Sequence, residues 1–221
     1  MISPKDTGHN EEREARLLER CPPGHEGTKL VDIPMTVLDA TGAIIVWYLP
    51  DALTETTQEI LAASDLLSPS LAKSVKVDGS WRTNQDWFKP SSENDGISPG
   101  CINLSPAWFQ QGHKVGSHEM AVSDSYTDQS GRISIARLAA FASAALRVMH
   151  PDLGQSAESK NLLRMSETLQ YWASVFNTLT VISNRQTPNH RDHIFIPEYF
   201  NILTTVGSYS NACMSMPSLQ L

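Results

Sequence analysis

Trp172-Ala173-Ser174-Val175-Phe176-Asn177-Thr178-Leu179-Thr180-Val181-Ile182-Ser183 runs directly into Asn184-Arg185-Gln186-Thr187-Pro188-Asn189-His190-Arg191-Asp192. In the first half Val175, Leu179, Val181 and Ile182 alternate with Thr and Asn residues, a pattern that predicts one long strand. The second half is polar and carries the residues with chemistry. Side chains two places apart on an extended chain share a face, so His190 and Asp192 are expected to reach two adjacent positions on one metal ion. A facial triad of two His and one carboxylate leaves the opposite side of the metal open, the arrangement non-haem iron oxygenases use for co-substrate and dioxygen. His190-Arg191-Asp192 also matches the start of the protein-kinase catalytic loop. That motif requires an Asn where this chain has Pro197, and it travels with a glycine-rich loop and an Asp-Phe-Gly segment that the chain lacks, so a kinase is excluded.

Working outward, a helix is predicted over Ser134 to Met149, where Ile135, Leu138, Ala139, Ala142, Leu146 and Met149 fall on one apolar face before Pro151. A second helix is expected from Ala157 to Leu169. Phe200 to Val206 and Ala212 to Met216 read as further strands, with Gly207 and Asn211 marking the turn between them. Toward the N-terminus, Pro34 to Asp39 and Ala43 to Tyr48 are strands separated by the hairpin punctuation Asp39-Ala40-Thr41-Gly42. Leu53, Ile60, Leu61 and Leu67 outline an amphipathic helix broken at Ser68-Pro69. Val77 to Gly100, rich in Gly, Pro, Ser and Asn, reads as a long loop. Ser105 followed by Pro106 is an N-cap and first-turn pair that starts a short helix. Glu11 to Glu19 form a short charged helix, and Cys21-Pro22-Pro23-Gly24 ends it, so residues 1–29 are expected to be a charged, loosely ordered arm. Helices packed on one side of a sheet, with strands crowded toward the C-terminus, make an α+β plan.

A chain of 221 residues, 40% hydrophobic and 19% charged, holds one globular domain. The polar first twenty residues contain no secretory signal, and the greasiest run, Ala43 to Leu49, is too short to span a bilayer, so a soluble, non-secreted protein is expected. Cys21, Cys101 and Cys213 are odd in number and lack CxxC spacing, which argues against a disulfide framework or structural zinc. A net charge of −7 opposes non-specific nucleic-acid binding, so any such partner needs a local basic surface. Lys73, Lys76, Arg82 and Lys89, with Trp81 and Trp87 between them, form the one stretch of that kind, and a solvated loop face is its plain alternative.

The string from Asn184 to Asp192 resembles the TET/JBP oxygenases, especially their fungal branch, in which an Asn-Arg-x-Thr-Pro-x-His-Arg-Asp-like segment precedes a Gly-x-Tyr segment, here Gly207-Ser208-Tyr209. The likeness runs more loosely through Asp39 to Pro50, Leu104 to Phe109 and Val148 to Pro151, and covers residues 30–221. It implies a double-stranded β-helix core of jelly-roll or cupin type. It also implies bound Fe(II), 2-oxoglutarate as co-substrate, dioxygen as oxidant, and oxidation of the methyl group of 5-methylcytosine, or of thymine, in DNA. The target base would be flipped out of the stack, which costs a few kcal/mol. Carried over residue by residue, His190 and Asp192 are the first two iron ligands, and Arg185, with Asn184 before it, meets the 2-oxoglutarate carboxylate. A DNA substrate implies a nuclear location, with the cytoplasm as alternative.

The resemblance also implies a third histidine and a 2-oxoglutarate-anchoring arginine some tens of residues further on. After Asp192 the only histidine is His193, which alternation sends to the other strand face, so residues 30–221 are expected to be an oxygenase domain without its C-terminal part. The β-helix is then incomplete and turnover weak or absent. Upstream, His113 and His118 fall outside the expected order, and His150 before Pro151 reads as a capping or packing residue. Two other functions follow from the same residues: a non-catalytic or decayed relative with a binding or regulatory role, or a cupin-like dioxygenase with a different substrate.

Overall fold

Asp39 organises the tightest turn in a computed structural model of the protein. One carboxylate oxygen accepts from the Thr41 amide at 2.8 Å, the Thr41 hydroxyl at 2.7 Å and the Ala43 amide at 2.9 Å. Gly42 follows with a φ of 85°, a left-handed value that glycine adopts without a Cβ penalty. The turn joins β1 (Met35–Leu38) to β2 (Ile44–Tyr48) as an antiparallel hairpin. Val37 faces Val46 and Leu38 faces Ile44, so Ile45 is the extra residue of a β-bulge. Both strands and the turn agree with the sequence pattern.

The structure describes residues 11–20, 29–53, 57–90, 97–105, 129–151, 172, 174–176, 178–188, 190, 200–207, 212–216, 219 and 221. The chain divides into two compact units. The first comprises Met1–Thr56, Pro188–Ile196 and Tyr209–Leu221, and holds the hairpin and helix α1 (Glu11–Arg20). The second comprises Thr57–Thr187 and Pro197–Ser208.

In the second unit, α2 (Thr57–Leu66) is followed at once by α3 (Ser68–Ser74). Pro69 sits in the first turn of α3, where its missing N–H removes one of the donors a helix start leaves unpaired. The break expected at Ser68-Pro69 is therefore a junction between two helices. The next strand, β3 (Gly100–Leu104), pairs antiparallel with β4 (Leu179–Ser183), setting Ile102 opposite Val181 and Leu104 opposite Leu179. Their inward faces meet Leu67 and Leu71 in a buried cluster completed by Trp172. Gly100 lets α3 lie close on β3, because a Cβ there would fall on the Leu71 backbone. The Ser74 hydroxyl donates to the Leu71 carbonyl at 2.6 Å and accepts from the Cys101 amide at 2.8 Å, tying the end of α3 to the strand.

Helix α4 (Gln129–Met149) packs against α2 and buries Ala139, Ala142, Ser143 and Leu146 at helical spacing. It starts five residues before the Ser134 expected from apolar periodicity, because Gln129 to Arg132 are polar and carry no hydrophobic period. The α+β class expected from the sequence is observed, with two small antiparallel sheets among the described residues.

Three strand expectations are corrected. The long strand from Trp172 begins only at Leu179, and Val175 and Phe176 before it form a bend. There the Trp172 indole donates to the Phe176 carbonyl at 2.7 Å, and the Ser143 hydroxyl accepts from the Val175 amide at 2.9 Å. Phe200 to Val206 and Ala212 to Met216 form no strand, since β-rich composition needs a neighbouring edge to pair with. Among its described residues the Val77 to Gly100 loop contains a 3₁₀ turn at Gln85–Trp87 and takes part in single bridges from Lys76 to Asn84 and from Phe88 to Arg185, and its last residue, Gly100, opens β3. The expected helices at Pro106 and at Ala157 to Leu169 lie outside the described residues. No helix among the described residues is long and apolar enough to cross a membrane.

Candidate functional site

Asn184 ends β4 by taking a left-handed φ of 55°, a conformation asparagine tolerates better than most residues. Its side-chain amide donates to the Ile97 carbonyl at 2.8 Å, fixing the chain as it leaves the sheet. Backbone bonds then hold the next residues. Lys89 donates to the Asn184 carbonyl at 2.7 Å, and Gln186 donates to the Trp87 carbonyl at 2.8 Å.

Arg185 is thereby aimed at the Trp81 region. Its guanidinium lies 4.9 Å from the centre of the Trp81 ring, and that of Arg82 lies 4.5 Å from the same ring. Nη1 of Arg185 donates to the Arg82 carbonyl at 3.0 Å, and Nε reaches the Thr187 hydroxyl at 3.4 Å. Burial pushes the Arg185 pKa below its ordinary value, the neighbouring Cys101 sulfur opposes that shift, and the Arg82 charge adds to it. Arginine is so basic that the group stays cationic. A half-buried guanidinium stacked on an indole and tied at two nitrogens is an ordered donor for an oxyanion.

His190 belongs to the first unit and lies in no strand, so the expected strand alternation is not what positions it. Its Nδ1 lies 2.9 Å from the Pro188 carbonyl oxygen. A carbonyl only accepts, so in this bond Nδ1 is the donor. Metal-ligating histidines commonly spend their other ring N–H on a backbone carbonyl in this way, which fixes tautomer and ring orientation. Asp192, the second expected ligand, lies outside the described residues, as do His113, His118 and His193. Among the described residues no three His, Cys, Asp or Glu side chains gather as a metal-binding group.

No family model matches this chain, and no curated protein matches it.

His150 packs against Phe200 with ring centres 5.6 Å apart, while its backbone amide donates to the Leu146 carbonyl at 2.7 Å, in keeping with a packing role at the end of α4. Trp81 and Arg82 stand in the basic stretch noticed in the sequence. Nothing in that stretch signals their association with Arg185, which only the bridge between Phe88 and Arg185 brings about.

Proposed function

We propose that the protein is an Fe(II)/2-oxoglutarate-dependent dioxygenase of the TET/JBP type that oxidises the methyl group of 5-methylcytosine, or of thymine, in DNA. The observation that carries this reading is the 2.9 Å contact between His190 Nδ1 and the Pro188 carbonyl, within a string that resembles the family's iron-binding segment. His190 and Asp192 would hold the metal, and the expected core is a double-stranded β-helix. Bound iron would supply oxidation of a methyl C–H to an alcohol, coupled to conversion of 2-oxoglutarate and dioxygen into succinate and carbon dioxide. Arg185 would bind a carboxylate of the co-substrate through its guanidinium, and Asn184 would orient the backbone from which Arg185 projects.

The test is incubation of the protein with Fe(II), 2-oxoglutarate and methylated DNA, with 5-hydroxymethylcytosine and succinate followed by mass spectrometry. Both products, formed in equal amounts and lost in His190→Ala, are the expected result. Failure to bind either metal or 2-oxoglutarate would overturn the proposal. A second reading is a relative that binds without catalysis. It predicts binding of metal or DNA with no product.

A further inference from the structure

A serine or threonine stands directly before proline at Ser3, Ser68, Ser98, Ser105 and Thr187. Ser3 lies outside the described residues, and the other four are not equally open to an enzyme. Ser68 is half-buried in the first turn of α3, Ser98 is half-buried, and Ser105 is fully buried. Thr187 is the exposed one, and it lies in no helix or strand. Pro188 after it disfavours helical backbone at Thr187 and keeps the segment extended. A protein-kinase cleft must enclose the acceptor hydroxyl together with its chain neighbours, which requires an exposed, extended segment of this kind.

The neighbour of Thr187 sets it apart from an ordinary surface threonine. Its Oγ1 lies 3.4 Å from Nε of Arg185, a long contact between a cation and a neutral oxygen. The guanidinium is ordered without that contact, by the bond from Nη1 to the Arg82 carbonyl at 3.0 Å and by stacking 4.9 Å from the centre of the Trp81 ring. A phosphoryl group on Oγ1 would set nearly two negative charges and three strong acceptor oxygens beside this fixed cation. Arginine and phosphate form charge-assisted bonds whose geometry the guanidinium fork matches. An ordered guanidinium also loses less entropy when it grips them. The plain alternative is a threonine that only fills space beside Arg185, and it predicts a phosphate that titrates as a free one.

We propose that Thr187 is a phosphorylation site for a proline-directed protein kinase, and that the Arg185 guanidinium holds the resulting phosphate. In the transfer, Oγ1 bonds to the γ-phosphorus of ATP as the bond from that phosphorus to the β,γ-bridging oxygen breaks. ADP leaves, and the hydroxyl proton passes to the carboxylate base of the kinase. The consequence rests on the dioxygenase reading, in which Arg185 takes a carboxylate of 2-oxoglutarate: the phosphate occupies the same guanidinium and switches co-substrate binding off.

The test is incubation of the full chain with ATP and a proline-directed kinase of the mitogen-activated class, with the modified residue mapped by mass spectrometry. Phosphate on Thr187, absent from Thr187→Val and ahead of any on Ser68, Ser98 or Ser105, is the expected result. Phosphorus NMR against pH then reads the grip of Arg185. The second phosphate pKa should lie about one unit lower in the folded phosphoprotein than in the same protein unfolded in urea. Arg185→Gln should remove that difference, and Arg185→Lys, which keeps a cation, should retain part of it. Calorimetry with Co(II) present should show 2-oxoglutarate binding the phosphoprotein roughly tenfold more weakly than the unmodified chain. An unmodified Thr187, or a phosphate that titrates alike folded and unfolded, would overturn the proposal. Equal binding of 2-oxoglutarate to both forms would overturn the switch and leave the dioxygenase reading in place. A phosphate that forms and titrates low on a chain that binds no 2-oxoglutarate would support the modification site and remove the dioxygenase reading.

Discussion

Arg185 donates from Nη1 to the backbone carbonyl of Arg82 at 3.0 Å, joining residues 103 positions apart in sequence. With its guanidinium over Trp81, the same side chain locks the segment from Lys76 to Lys89 against the end of β4. Arg185→Ala should therefore destabilise the fold by about 1–3 kcal/mol, the range for a charged hydrogen bond together with a cation–π contact. Arg185→Lys should recover only part of this, because an ammonium lacks the planar fork that bonds and stacks at once. Urea unfolding of both variants measures the effect; full recovery by lysine would show that charge alone matters.

Gly100 faces the backbone of Leu71, and a Cβ at that position would collide with the Leu71 carbonyl. Because the obstacle is backbone and Leu71 is fully buried, α3 must shift to accept Gly100→Ala. The expected loss is about 1–3 kcal/mol, typical of overpacking. Thermal melting checks it, and a variant as stable as the native chain would mean that α3 and β3 do not lie in this contact.

The Asp39 carboxyl is held below its ordinary pKa, first by the Thr41 hydroxyl and then by the Ala43 and Thr41 amides. A depressed carboxylate contributes stability that is complete above the unfolded value of 3.8 and is lost as pH falls from there through the lower folded value. The hairpin should thus be indifferent to pH near neutrality and weaken only in acid. Asp39→Asn should abolish this acid response and speed amide exchange at Thr41 and Ala43 at neutral pH. Proton exchange followed by NMR against pH is the measurement, and an unchanged acid response in the variant would remove Asp39 as its source.

How legible these features were in the sequence depended on how local their causes are. The hairpin was readable because Asp39, Thr41 and Gly42 define the turn and the strands beside it are rich in β-formers. The buried face of α4 was readable from Ala139, Ala142 and Leu146, but Ser143 was not, because its role is to accept from Val175, 32 residues away. Strand β3 escaped notice: Ile102 and Leu104 are its only large inward side chains, too few for a period. Helix α3 escaped too, being seven residues long and opening with Ser-Pro, which reads as a break. At the candidate site the string containing Arg185 and His190 was visible as residue types at set spacing. The indole beneath Arg185 was not, because tertiary pairing alone puts Trp81 there.

His190 offers the sharpest chemical prediction. With Nδ1 facing the Pro188 carbonyl, its ring should populate the Nδ1–H tautomer before any metal is added, detectable as a distinct nitrogen pattern by NMR. Adding Co(II), a spectroscopic substitute for Fe(II), should then shift the Nε2 signal and produce visible ligand-field bands. Asp192→Ala and His190→Ala should each weaken Co(II) binding, because each removes one proposed donor, whereas His150→Gln should not, because its ring packs against Phe200. Loss of a first ligand should cost at least the roughly 10–100-fold in affinity typical of even outer partners. Co(II) binding that persists at full strength in His190→Ala, or an Nε2–H tautomer in the metal-free protein, would take the imidazole out of the metal site.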